Sequence, residues 1–188
     1  MQKNFPYIYY FIDRYNIDEL TNLGKNINLI FRDYTINNKI DIIRSVQKFC
    51  KKNKRNLYLS NNIKLALKLG LKGVYIPSFN KKINYVFKHS LPSKFEIIGS
   101  AHNLNEINIK KLQGCSKIFL SPIFKTSKSK GFLSIYKFNL LTLSQKTKFI
   151  ALGGINKSNY KKLKLTNIVG FAGISWIKKN GLRKLRPF

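Results

Sequence analysis

The sequence reads as an α/β protein, a compact single-domain (β/α)8 barrel of the TIM type. Three observations carry that expectation. Short apolar runs of strand length alternate with helix-forming segments, eight of each, between Tyr7 and Lys179. The 188 residues suit one domain with a sizeable core, yet fall short of the about 250 typical of such a barrel, so helices and loops must be short. Near the C-terminal end, KFIALGGIN (148–156) and VGFAGISW (169–176) each pass from an apolar strand through glycine toward a helix. Two neighbouring Gly turns after the last two strands suit a phosphate site, because their N–H groups and the following helix start favour an anion. The alternative for the glycines is a pair of ordinary tight turns; for the architecture it is a doubly wound open sheet. No linker, low-complexity tract or solenoid repeat divides residues 1–188.

The elements follow in order. Tyr7–Ile12 is a β-branched and aromatic strand, and Asp18–Leu23 a short helix capped near Asn16. Ile27–Phe31 is the second strand, ending on Arg32-Asp33-Tyr34. Lys39–Lys52 places Ile40, Ile43, Val46, Phe49 and Cys50 at helical spacing and turns a basic face outward. Leu57–Leu59 is the third strand; Ser60-Asn61-Asn62 and a helix through Leu69 follow, with Gly70 as its C-cap. Gly73–Ile76 is the fourth strand, Ile83–Phe87 a weak helix, and Phe95–Ile98 the fifth strand. Ser100-Ala101-His102 leads into a helix around Asn105–Leu112. Lys117–Leu120 is the sixth strand, followed by a Lys-rich loop to Gly131 and a helix near Tyr136–Leu143. Phe149–Leu152 and Ile168–Ala172 are the last strands, with helices at Ser158–Leu165 and Ser175–Lys179.

Charge is the outstanding compositional feature: 36 Lys+Arg against 7 Asp+Glu give a formal net charge of +29. Such a field attracts nucleic acids, anionic surfaces and phosphorylated metabolites. The basic residues are scattered along the chain and accompanied by abundant Asn, Ile, Tyr and Phe, so a compositional drift of the source genome is the preferred reading of them. No recognition helix, zinc spacing or RNP-type aromatic motif is present, so nucleic acid is not the expected partner. Cys50 and Cys115 are only two and far apart, so no disulfide framework or metal-ligand spacing is visible. No apolar run reaches membrane-spanning length and the first residues lack a small-residue cleavage site, so the expected location is cytoplasmic, with no membrane partner.

In a barrel of this type, function collects where the strands end. Arg32 is a fixed cation suited to bidentate phosphate binding. His102 stands at a strand end and can move a proton near neutral pH. Thr126, Lys128 and Lys130 lie on a loop able to fold over the mouth, where the bland reading is a solvated basic loop. Carboxylates are nearly absent from the rim: Asp13 and Asp33 belong to no metal cluster, so a magnesium site would be poor.

The succession FIDR, IFRDY, LYLSNN, GVYIP, SAHN, FLSPIFKTSKSKG, IALGGI and VGFAGIS resembles the thiamine-phosphate synthase family, including its TenI-type relatives. The resemblance runs from Tyr7 to Trp176 and implies a (β/α)8 barrel. Synthases of that family join hydroxymethylpyrimidine diphosphate to thiazole phosphate with Mg²⁺, releasing pyrophosphate; TenI-type members isomerise a thiazole carboxylate phosphate without metal. The resemblance implies a thiazole-phosphate cradle at Gly153, Gly154, Ile174 and Ser175, with Arg32, Ser100, Thr126 and Lys130 also binding substrate, and His102 and Lys128 as catalytic residues. The family's lysine after Arg32 is Tyr34 here, and its lysine after the threonine is Ser129, flanked by Lys128 and Lys130. Where a synthase carries Asn-Asp after the third strand, this chain has Ser60 and Asn61. Its second metal aspartate, within His-Leu-Gly-Gln-x-Asp after the fourth strand, is Asn80. Ser60, Asn61 and Asn80 are thus degenerate metal and diphosphate positions.

The expectation is therefore an enzyme of thiamine biosynthesis that binds a phosphorylated thiazole, with metal-free TenI-like tautomerase chemistry preferred, no cofactor, and Mg²⁺ only if the synthase reading holds. The alternatives are a thiamine-phosphate synthase, a barrel acting on another sugar or heterocycle phosphate, and a non-catalytic basic protein binding anions or nucleic acid. A homo-oligomer is compatible with all of them.

Overall fold

The computed structural model describes residues 5–24, 26–33, 40–83, 91–127 and 129–173. Its strands are β1 (Tyr7–Ile12), β2 (Ile27–Phe31), β3 (Leu57–Ser60), β4 (Gly73–Ile76), β5 (Glu96–Ala101), β6 (Lys117–Leu120), β7 (Lys148–Leu152) and β8 (Gly170–Ala172). All pair in parallel with their sequence neighbours, and β8 closes onto β1 through Tyr7 opposite Gly170. The helices are α1 (Ile17–Thr21), α2 (Ile40–Lys52), α3 (Ile63–Lys68), α4 (Leu104–Leu112) and α5 (Ser134–Thr142), with a 3₁₀ segment at Tyr160–Leu165. The closed barrel is the architecture expected from the sequence. No helix among the described residues is long and apolar enough to cross a membrane.

Local chemistry accounts for the helix ends. The Asn16, Asn62 and Asn103 side chains each accept the N–H three residues on, at 2.9–3.0 Å, which satisfies a donor the first turn leaves open. Gly70, at φ +59°, ends α3 in the left-handed conformation. The α2 stripe buries Ile43, Val46, Phe49 and Cys50, whereas Ile40, expected on that stripe, is 36% exposed at the helix start.

Most elements agree within about two residues at their ends, β8 for example starting at Gly170 rather than Ile168, and two differ further. β5 runs on through Ala101, because Ser100 and Ala101 pair in register with Phe119 and Leu120. The helix expected at Ser158–Leu165 is a 3₁₀ segment that begins only at Tyr160. Asn156 Oδ1 accepts from the N–H groups of Ser158 and Asn159, and such side-chain bonding draws backbone donors away from an α-helix. The helices expected at Ile83–Phe87 and Ser175–Lys179 fall largely or wholly outside the described residues.

The interior of the barrel is aromatic. Tyr9, Phe11, Tyr58, Tyr75 and Phe119 come from four strands and meet across it, mostly edge to face, with centroids 4.9–6.0 Å apart. A second cluster of aliphatic and aromatic side chains forms the core outside the strands. Below the rings, at the N-terminal end, Glu96 receives Lys117 Nζ at 2.5 Å, Lys72 Nζ at 3.1 Å and the Tyr58 hydroxyl at 3.1 Å. Lys117 is almost completely buried and also sits 4.7 Å above the Tyr7 ring. Burial alone would raise the Glu96 carboxyl, but hydrogen bonds and charge from Lys117 and Lys72 hold it below its usual range.

A depressed carboxyl stabilises the fold fully above the unfolded group's pKa and loses that contribution as pH falls on through the lower pKa of the folded state. Glu96→Gln should therefore cost about 3 kcal/mol at pH 7, because it strands the Lys117 charge in the barrel. The difference from the native chain should shrink as the medium is acidified, read by urea unfolding at pH 7 and pH 3. An equal deficit at both values would remove the ion pair as the cause.

Candidate functional site

Alternate side chains along a strand share a face. Counting on from the inward residues Ile30, Tyr58, Ile98 and Phe119 puts Arg32, Ser60, Ser100 with His102, and Ser121 at the inner rim above the aromatic fill. The Arg32 guanidinium lies 4.7 Å over the Phe11 ring and lines, with Asp13 and Arg14, a cavity of about 140 Å³. Ser60 and Ser100 are buried at the ends of β3 and β5.

His102 is held from three sides. Its backbone N–H donates to Glu106 Oε2 at 2.8 Å, which ties it to the first turn of α4. Its Nδ1 lies 2.8 Å from the Ser121 carbonyl. A carbonyl only accepts, so Nδ1 carries a proton, and in the neutral ring Nε2 holds the lone pair. Ser78 Oγ, 3.2 Å from Nε2, then donates to it. The ring is thus oriented with Nδ1–H on the Ser121 carbonyl and the Nε2 lone pair facing Ser78.

Asn61 and Asn80 meet directly: Asn80 Nδ2 donates to Asn61 Oδ1 at 2.7 Å. The orientation of the Asn80 amide is set from the other side, because its Oδ1 accepts from the Lys82 N–H at 3.0 Å. Asn61 itself is left-handed, at φ +58°, with its N–H on the Tyr75 carbonyl. Among the described residues, no group of three His, Cys, Asp or Glu is gathered to hold a metal ion. Mg²⁺ prefers anionic oxygen, and here the two side-chain oxygens are neutral and already accept hydrogen bonds, Asn61 Oδ1 from Asn80 and Asn80 Oδ1 from Lys82, so the donor set does not fit it.

The glycine turn stands against the loop after β6. Gly153 and Gly154 have φ +93° and +70°, and a Cβ at Gly154 would lie 2.5 Å from the Phe124 and Lys125 carbonyls. Among the described residues, neither N–H finds an acceptor. The glycines therefore serve packing and donor display together. The 3₁₀ segment starts six residues beyond Gly154, so no α-helix start adds to this turn as the sequence suggested. On the same loop Thr126 Oγ1 bonds Ser129 Oγ at 2.7 Å and accepts the Ser129 N–H, and Lys130 is exposed. Lys128, Ile174 and Ser175 lie outside the described residues.

The loop after β4, which carries Ser78 and Asn80, is gripped from behind by α4. Lys110 is fully buried and places Nζ 2.8 Å from the Pro77 carbonyl, 2.7 Å from that of Asn80 and 2.8 Å from Gln113 Oε1. Gln113 Nε2 in turn donates to the Asn80 and Lys82 carbonyls. Gly99 makes room, since a Cβ there would come within 2.8 Å of the lysine stem. Burial draws the ammonium down to about 8, offset in part by Cys115 and Glu106, so it is a cation at neutral pH. Ser78, Ser121 and Lys110 were not among the residues singled out from sequence. Only Lys110 left a trace there: it follows Ile107 by one helical turn, where the inward face of α4 calls for an apolar residue.

Comparison with known proteins agrees with this architecture. The family model described as thiamine monophosphate synthase matches residues 20–177. A thiamine-phosphate synthase of Prochlorococcus marinus is 31% identical over 144 residues, which are 75% of this chain and 41% of that protein. A putative thiamine-phosphate synthase 2 of Aquifex aeolicus is 32% identical over 143 residues, 71% of this chain and 72% of that one. The chain thus spans well under half of the Prochlorococcus relative's length. Among solved structures, thiamine phosphate pyrophosphorylase from Pyrococcus furiosus superposes with a TM-score of 0.76 at 19% identity, covering 97% of this chain and 92% of that one.

Carboxylates at positions 61 and 80 would repel where the amides now bond. The double variant Asn61→Asp, Asn80→Asp should lose about 1–2 kcal/mol in chelator and recover it in millimolar Mg²⁺, whereas the native chain should show no Mg²⁺-dependent shift in Tm. A native Tm that rises with Mg²⁺ as much as the variant's would show that the amides do bind the ion.

Proposed function

This chain belongs to the thiamine monophosphate synthase family, and on that premise we propose that it is a thiamine-biosynthesis enzyme that holds a phosphorylated thiazole at the C-terminal rim and moves a proton on it without metal. The Asn61–Asn80 hydrogen bond carries this reading, because it uses the two side chains from which the family's metal-dependent reaction would draw its carboxylates.

In the proposed reaction the open N–H groups of Gly153 and Gly154 and the Thr126 side chain anchor the phosphate. Such an anchor converts a proton transfer between separate molecules into one within a complex. His102 Nε2 takes a proton from one ring position of the thiazole and returns it to another, so no proton is consumed overall. While the imidazole is protonated, Nδ1–H keeps its bond to the Ser121 carbonyl and the Ser78 hydroxyl turns from donor to acceptor. Ser60, Asn61 and Asn80 supply neutral polar groups and no negative charge.

The synthase reaction is the second reading, and the names of the relatives favour it: those of both Prochlorococcus marinus and Aquifex aeolicus are described as synthases. Both readings share the thiazole-phosphate cradle and differ in the need for a dication.

Calorimetric titration with thiazole carboxylate phosphate separates them. Saturable binding should be indifferent to Mg²⁺, and His102→Ala should keep the affinity within a factor of about two while slowing isomerisation at least about 100-fold. Binding of pyrimidine diphosphate that appears only with Mg²⁺, followed by release of pyrophosphate, would replace this reading with the synthase one. Unchanged turnover in His102→Ala would remove that residue from the chemistry.

A further inference from the structure

We propose that Lys110 is a positioning residue for the proton-transfer site: its buried ammonium grips the loop after β4 from within, so that Ser78 meets His102 Nε2. The inference rests on the proposed role of His102 and adds to it the residue that sets the geometry.

A lysine inside a protein loses its hydration, and a Leu or Met of similar length would pack against Gly99 and Cys115 at less cost. No carboxylate among the described residues forms an ion pair with Lys110, so a salt bridge does not account for its presence. All three ammonium protons instead point at neutral acceptors, and two of these are main-chain carbonyls, those of Pro77 and Asn80. These carbonyls bracket Ser78. Gln113 Nε2 and the bond between Asn80 and Asn61 hold the far end of the segment, whereas on the near side of Ser78 the Pro77 carbonyl receives the Lys110 ammonium. A charged donor bonds roughly twice as strongly as a neutral one. The ammonium therefore sets the height of the loop, and with it the 3.2 Å separation between Ser78 Oγ and Nε2.

The consequence reaches His102 by a path of two contacts. Ser78 is the group that bonds the basic nitrogen, while Ser121 and Glu106 orient the rest of the residue. With the loop displaced, the ring keeps its tautomer but loses the hydroxyl that receives the Nε2 proton when the imidazole is charged. Substrate anchoring at Gly153 and Gly154 is on the opposite side of the sequence, after β7, and does not pass through Lys110.

The test reads the His102 ring nitrogens by NMR in the ligand-free protein, alongside isomerisation kinetics. Lys110→Met keeps the volume and removes the charge, and Lys110→Gln is a second neutral variant. Each should move the Nε2 resonance toward that of a free imidazole nitrogen and lower kcat about 100-fold with KM within about twofold. Ser78→Ala should give the same Nε2 change, and Lys110→Met added to it should change His102 no further. Lys110→Arg, which retains a cation, should recover most of kcat. Unmoved nitrogen signals in either neutral variant, or in Ser78→Ala, would overturn the proposal, as would failure of both neutral variants to fold, which marks a purely structural lysine. Because the nitrogens are read without thiazole, a native chain that does not bind the thiazole phosphate sinks the functional reading and leaves this one standing.

Discussion

Five aromatic rings stacked across the barrel set the level at which everything else is built. Eight short parallel strands leave a narrow lumen, and a (β/α)8 barrel is stable only when side chains fill it. Here Tyr9, Phe11, Tyr58, Tyr75 and Phe119 fill it edge to face. Polar groups are thereby confined to the two ends. At the N-terminal end the Glu96 carboxylate pairs with both Lys117 and Lys72 and accepts from the Tyr58 hydroxyl. At the C-terminal end the next inward residues are Arg32, Ser60, Ser100, His102 and Ser121, so the rim inherits its composition from the same two-residue period that forms the fill.

That rim is poor in negative charge, and the structure meets this in two local ways. Asn61 and Asn80, placed where a pair of carboxylates would need a cation between them, satisfy each other. Behind them Lys110 supplies a positive charge that is part of the chain and gives two of its three donors to the loop and the third to Gln113. Both arrangements hold the same six-residue loop, 77–82, without any soluble ion. The large net charge works at another scale. Its lysines are mainly exposed and screened within about 8 Å at physiological salt, so they can raise the local concentration of an anionic ligand but cannot replace a chelated metal at the reacting atoms.

Much of this was legible in the sequence because the barrel is written in local periodicity. Strands β1, β2, β4 and β6 and the caps at Asn16 and Gly70 needed only neighbouring residues to identify. The 3₁₀ segment was not legible, because Asn156 and Asn159 redirect backbone donors by side-chain bonds that propensity does not capture. The extra length of β5 came from pairing with β6, a partner some twenty residues away. At the site, His102 and the glycines could be singled out by type and position. Ser78, Ser121 and Lys110 could not, because their roles exist only where three separate loops converge, and a serine or lysine carries no sign of that in isolation.

Gly153 and Gly154 show how a packing need and a binding function come to coincide. The loop after β6 passes so close to them that the Phe124 and Lys125 carbonyls occupy the space of a Gly154 Cβ. This contact forces glycine at the turn irrespective of any ligand. Yet the positive φ angles that follow leave both N–H groups without an internal acceptor among the described residues. Both residues are only partly buried, so the conformation that packing imposes leaves these donors where an anion could accept from them. The loop responsible carries Thr126 and Ser129, hydrogen-bonded to each other beside the turn. Packing thus delivers hydroxyls and amide donors to the same place, and the phosphate reading rests on that convergence more than on the glycine pattern alone.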